Sequence, residues 1–77
     1  MTRVPRLSSK EILKILDREG FAIVHTRGSH CKLRKESRTV IVPLNRHPLR
    51  IGTQTDILRQ AGITAERLQE LLDHRLL

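Results

Sequence analysis

Between Ser8 and Glu19 the apolar residues fall at Ile12, Leu13, Ile15 and Leu16, the spacing of a single buried helix stripe. Ser8-Ser9-Lys10-Glu11 marks the start as a capping box, in which a serine hydroxyl and a glutamate carboxylate each satisfy an orphan backbone N–H, with Leu7 and Ile12 as the flanking hydrophobic staple. Gly20 ends this helix. The period then shortens from that of a helix to that of strands. Phe21 to His25 is rich in residues that pack on a pleated surface, and Arg27-Gly28 reads as the turn into a second strand, Ser29 to Lys35. Alternation there places His30, Lys32 and Arg34 on one face and Ser29, Cys31 and Leu33 on the other. Glu36-Ser37 has turn character, and Arg38 to Val42 is a third strand ended by Pro43.

The segment from Leu44 to Ile51 carries two arginines and a histidine with little periodicity, and Pro48 favours an extended backbone at His47. Thr53 is expected to cap a helix with Asp56 at its third position, burying Ile57, Leu58 and Ala61 before Gly62 stops it. Thr64 opens a last helix with Leu68, Leu71 and Leu72 on its apolar side, and residues 73–77 either continue it or fray. Short links between three successive strands favour an antiparallel meander. The expectation is therefore an α+β fold in the order α-β-β-β-α-α, a single domain over residues 1–77. Helices cover one face of the sheet and the other is open to a ligand or partner.

Charge sharpens that picture. Lysine plus arginine number 15 against 8 acidic residues, a net charge of +7 over 77 residues. Such an excess repels itself on compaction and attracts polyanions, with nucleic acid the first of them. No apolar run approaches the roughly 20 residues that span a bilayer, and the N-terminus has no secretory apolar core, so a cytoplasmic protein is expected. With one Phe and no Tyr or Trp, the chain lacks the aromatic platforms on which RNA-binding modules stack bases. Any grip on nucleic acid must come from charge, shape and hydrogen bonds.

No phosphate-loop, dinucleotide or zinc-protease motif is present. The lone Cys31 has no C-x-x-C partner, and the scattered carboxylates do not form the cluster of a two-metal nuclease, so neither metal nor organic cofactor is expected. Metal-free acid-base chemistry remains open. RNA supplies its own nucleophile in the 2′-OH, so cleavage needs only proton transfer and charge stabilisation at the phosphate. Histidine suits the first, and lysine or arginine the second. His30 has that context, beside Lys32 and Arg34 and following Arg27; His25 and His47 are weaker candidates. Ser29 is not expected to be a nucleophile, because adjacent strand residues face opposite ways.

Arg27-Gly28-Ser29-His30, then Val42-Pro43, then Gly52-Thr53 with Ile57-Leu58-Arg59-Gln60-Ala61-Gly62-Ile63, resemble in order and spacing the HicA toxins, the small mRNA interferases of HicA–HicB toxin-antitoxin systems. The similarity spans roughly Ser8 to Leu72. It implies a fold like a double-stranded-RNA-binding domain, catalysis by His30, a presenting turn at Gly28 and Ser29, and inhibition by a HicB antitoxin covering the active surface. The chain departs from the family where many members read Val-Pro-x-His: here Asn45 occupies that position and a histidine is displaced to His47.

The resulting expectation is a toxin that cleaves single-stranded mRNA without a cofactor. His30 is catalytic, Lys32 and Arg34 sit at the scissile phosphate, and Arg27, Asn45, Arg46, His47 and Arg50 contact RNA, with an acidic antitoxin as partner. The alternative is a non-catalytic RNA-binding module. A DNA-contacting helix pair over Thr53 to Leu72 is disfavoured, since that stretch carries only Arg59 and Arg67 as basic residues.

Overall fold

The first helix begins as its sequence dictates. The Ser8 hydroxyl accepts from the Glu11 N–H at 3.1 Å, and the Glu11 carboxylate accepts from the Ser8 N–H at 2.9 Å. The computed structural model describes residues 4–73, with α1 at Ser9–Arg18, β1 at Ala22–Arg27, β2 at His30–Lys35, β3 at Arg38–Pro43, α2 at Ile51–Ala61 and α3 at Ala65–Asp73. Leu7 and Ile12, the staple pair, are both in the core.

The strands form one antiparallel sheet in the order β1-β2-β3, the expected meander. Cys31, Leu33, Val40 and Val42 point into a core shared with Ile12, Ile15 and Leu16 of α1, Ile57 of α2 and Leu68 of α3. Three helices and three antiparallel strands in the order α-β-β-β-α-α give the α+β fold that the pattern predicts. Among the described residues, no helix is long and apolar enough to cross a membrane.

Several boundaries differ from the sequence expectation. Phe21 precedes β1 and is only 3% exposed, because its ring fills the core at the end of α1. The first hairpin turns at Gly28 and Ser29, so Ser29 lies in the turn and only Cys31 and Leu33 of its expected trio point inward. Leu13 is half-buried rather than fully buried. Helix α2 starts two residues before Thr53: Arg50 is its N-cap residue and supplies no side-chain cap. Asp56, rather than completing a cap with Thr53, pairs with Arg59.

Tertiary anchoring replaces capping at that point. Leu49 is fully buried and its N–H donates to the Leu7 carbonyl at 2.8 Å. Gln54, 0% exposed, accepts from the Leu7 N–H and donates to the Pro5 carbonyl, both at 2.7 Å. A buried amide satisfied on both sides is strongly placed, since loss of either partner strands a polar group away from water. At its other end α2 closes as expected, on Gly62 with a left-handed φ of 73°. Thr64 accepts from the Arg67 N–H at 3.0 Å to open α3, and the expectation for residues 74–77 lies outside the described residues.

Candidate functional site

The outward face of the sheet follows from the register. On β2, His30, Lys32 and Arg34 are exposed while Cys31 and Leu33 between them are buried. Directly opposite on β1 stand Arg27 beside His30, His25 beside Lys32 and Ala22 beside Arg34. On β3, Pro43 lies opposite His30, Ile41 opposite Lys32 and Thr39 opposite Arg34. Facing residues in an antiparallel pair have Cβ atoms about 4.5–5.5 Å apart, so Arg27 and His30 are near neighbours, with His25 on the diagonal.

Gly28 makes this presentation possible. Its φ of 56° is the left-handed conformation that a tight hairpin requires, and nothing lies near enough to crowd it. Ser29 beside it holds the local frame: its carbonyl accepts from the Leu44 N–H at 2.7 Å, and its hydroxyl lies 3.4 Å from His30 Nδ1.

That bond to Leu44 is one of several that bend the segment after β3 back toward His30. The Ser9 hydroxyl donates to the Pro43 carbonyl at 2.6 Å and accepts from the Arg46 N–H at 3.0 Å, while the Ser9 N–H donates to the Arg46 carbonyl at 2.9 Å. The Arg6 guanidinium donates to the Leu49 carbonyl at 2.8 Å. The irregular loop is thereby fixed against the start of α1 and walls one side of the open face. Between wall and sheet lies a cleft of about 610 Å³, lined by His30, Ile41, Pro43, Arg46, Pro48, Leu49, Arg50 and Thr53.

The expected site residues therefore divide. His30, Arg46 and Arg50 share the cleft, and Arg27 stands directly across the hairpin from His30. Lys32 is two residues along β2, about 7 Å of strand, and Arg34 about 13 Å. Arg34 also donates from Nε to the Glu36 carbonyl at 3.3 Å, and neither Lys32 nor Arg34 lines the His30 cleft. Asn45 and His47 line a separate depression with Ser9, Lys10, Leu13 and Leu44.

Sequence reasoning missed Ser9, Gln54, Ile41 and the cleft position of Thr53. Gln54 was detectable, because it falls on the stripe of Ile57, Leu58 and Ala61; so was Ile41, an apolar residue at an outward position of β3. Ser9 carries no such signal, since its hydroxyl acts on a loop 34 residues away.

The cations divide as well. Lys35 donates to the Glu19 carbonyl at the end of α1, Arg38 to the Gln60 carbonyl near the end of α2, and Arg67 pairs with Glu19 at 2.6 Å. Cations at helix C-termini complement the macrodipole. Among the described residues, the side chains of Arg27, Lys32, Arg46 and Arg50 make no hydrogen bond or ion pair, and they border the His30 face. The N-terminus of α2 opens on the same cleft through Arg50 and Thr53, adding positive potential there. The described residues contain no group of three or more His, Cys, Asp or Glu suited to a metal ion. The arrangement can thus hold an anion against an imidazole, within reach of solvent.

The family model for the HicA toxin of bacterial toxin-antitoxin systems matches residues 9–63. No individually curated protein matches the chain. The match takes in the whole sheet, His30 and the arginine-bearing loop, and the chain belongs to the HicA toxin family.

Proposed function

We infer that this toxin is a metal-independent endoribonuclease acting on single-stranded mRNA, and that its cognate antitoxin is an acidic, HicB-like protein covering the same face. The observation that carries this reading is the placement of His30 in an open cleft with Arg46 and Arg50, two cations with no other side-chain partner among the described residues. The family supports a toxin with a cognate antitoxin, and the chemistry of the cleft supports RNA as its target.

In the proposed reaction the ribose 2′-oxygen loses its proton and attacks the adjacent phosphorus. The P–O5′ bond breaks, and the departing oxygen takes a proton. His30 performs one of these two transfers, a role that suits a group available in both protonation states. Arg46 and Arg50 stabilise charge on the phosphoryl oxygens as it builds, where donors fixed in advance act most effectively. Arg27 contacts the chain on the other side of His30. Lys32 and Arg34 hold neighbouring phosphates along β2 rather than the scissile one. Gly28 and Ser29 present His30, while Asn45 and His47 contact RNA or antitoxin at the loop's outer side.

The products follow from the mechanism: a 2′,3′-cyclic phosphate or its hydrolysed form upstream, and a 5′-hydroxyl downstream, formed in the presence of a chelator. End-group analysis finding a 5′-phosphate on the downstream fragment excludes this route. The extension of the cationic strip to Lys32 and Arg34 also favours a second reading, a module that binds RNA without cutting it. Intact RNA recovered from a stable complex with the unaltered chain selects that reading.

A further inference from the structure

The outward face of β3 carries a feature that proton and phosphate chemistry does not use. Ile41 is 50% exposed, although its neighbours Val40 and Val42 are fully buried. It lies in the His30 cleft together with Pro43 and Pro48, so the cleft has an aliphatic floor beside its guanidinium groups. A large apolar side chain left half in water costs free energy that covering it recovers. The ligand that fits joins a flat, weakly polar body to an anionic linker, which describes a nucleotide unit. A free phosphate or an acidic side chain would engage Arg46 and Arg50 and leave Ile41 bare. The chain has one Phe and no Tyr or Trp, and Phe21, 3% exposed in the core, offers no stacking surface.

We propose that Ile41, with Pro43 and Pro48, forms a nucleobase subsite beside the scissile phosphate and grips a base by its face. This rests on the RNA reading above and adds a specificity determinant to it. Neither isoleucine nor proline has a side-chain donor or acceptor, so this floor reads the area of a base and not its hydrogen-bonding edge. Purines are favoured over pyrimidines, and the preference is modest.

The test measures binding in the His30→Ala background, so that substrate persists. The probes are single-stranded oligomers of adenylate, of uridylate and of abasic ribose phosphate, equal in length. The otherwise unaltered background, Ile41→Thr and Ile41→Val are compared; both substitutions keep a β-branched residue on the strand. With Ile41 intact, adenylate is expected to bind about fivefold to tenfold more tightly than the abasic oligomer, the scale set by tens of Å² of apolar surface leaving water, with uridylate between. Ile41→Thr brings these ratios close to unity while abasic binding and its salt dependence stay unchanged, and Ile41→Val preserves most of the preference. Equal weakening of all oligomers by Ile41→Thr, or ratios that ignore the substitution, overturns the subsite and leaves the RNA reading intact. If no oligomer binds, the RNA reading fails and the subsite with it. If Ile41→Thr weakens only association with an acidic protein, the patch is a protein contact and the proposal is wrong.

Discussion

The two ends of the cationic strip on β2 lie in different surroundings. At the His30 end the sheet is walled by the loop after β3, which Ser9, Leu7 and Arg6 hold through hydrogen bonds to Pro43, Arg46 and Leu49. The wall brings Arg46 and Arg50 into a cleft with the imidazole. At the Arg34 end the outward face of β2 lies outside that cleft, and the guanidinium bonds the Glu36 carbonyl of its own turn. Positive charge is present at both ends, but only at the His30 end do arginines share a cleft with the imidazole, where donors can converge on one group. Chemistry at a phosphate needs that convergence, whereas charge alone supports attraction.

Removing the convergent donors is the strongest test of this contrast. Replacing Arg46 and Arg50 together by Ala is expected to lower kcat/KM for RNA cleavage by about 10²–10⁴-fold, since a charged hydrogen bond contributes about 1.5–3 kcal/mol and two are lost. An equal loss from Arg34→Ala would erase the distinction between the ends. The wall itself is probed by adjacent serines. Ser9→Ala leaves the Pro43 carbonyl and the Arg46 N–H without their partner, and should cost about 1–3 kcal/mol in urea unfolding, together with a fall in cleavage. Ser8→Ala removes only the helix cap, costs about 1 kcal/mol and leaves cleavage by the folded protein unchanged. The smallest effect is expected from Arg34→Ala: about a twofold loss of RNA affinity, with a salt slope shallower by roughly 0.7 for one lost single-strand phosphate contact.

Most of the scaffold was legible in the sequence because local and tertiary preferences agree there. The Ser8 box, the alternation through β2 and the left-handed stop at Gly62 each have a short-range cause that the fold retains. His30 was legible as an outward residue for the same reason. The surroundings of His30 were not, because they depend on bonds between segments distant in sequence. Leu49 carries no periodic signal, yet it is fully buried and fixes where α2 begins. Thr53 and Asp56 have good capping chemistry, but anchoring by Gln54 and Leu49 moves the helix start to Ile51 and leaves Thr53 lining the cleft. Composition counted every cation alike; the fold commits Arg6, Lys35, Arg38 and Arg67 to carbonyls and carboxylates and leaves others facing the cleft. Asn45 and His47 follow Pro43 closely in sequence but turn to the other side of the loop.

The proposed cleavage depends on His30 acting in proton transfer rather than serving as one more contact. RNA cleavage and RNA binding measured side by side in chelator, for the unaltered chain and for His30→Ala, separate the two roles. The prediction is that cleavage falls by about 10²–10⁴-fold, the usual contribution of a positioned acid or base, while binding is essentially retained. Cleavage by His30→Ala at the rate of the unaltered chain would contradict it.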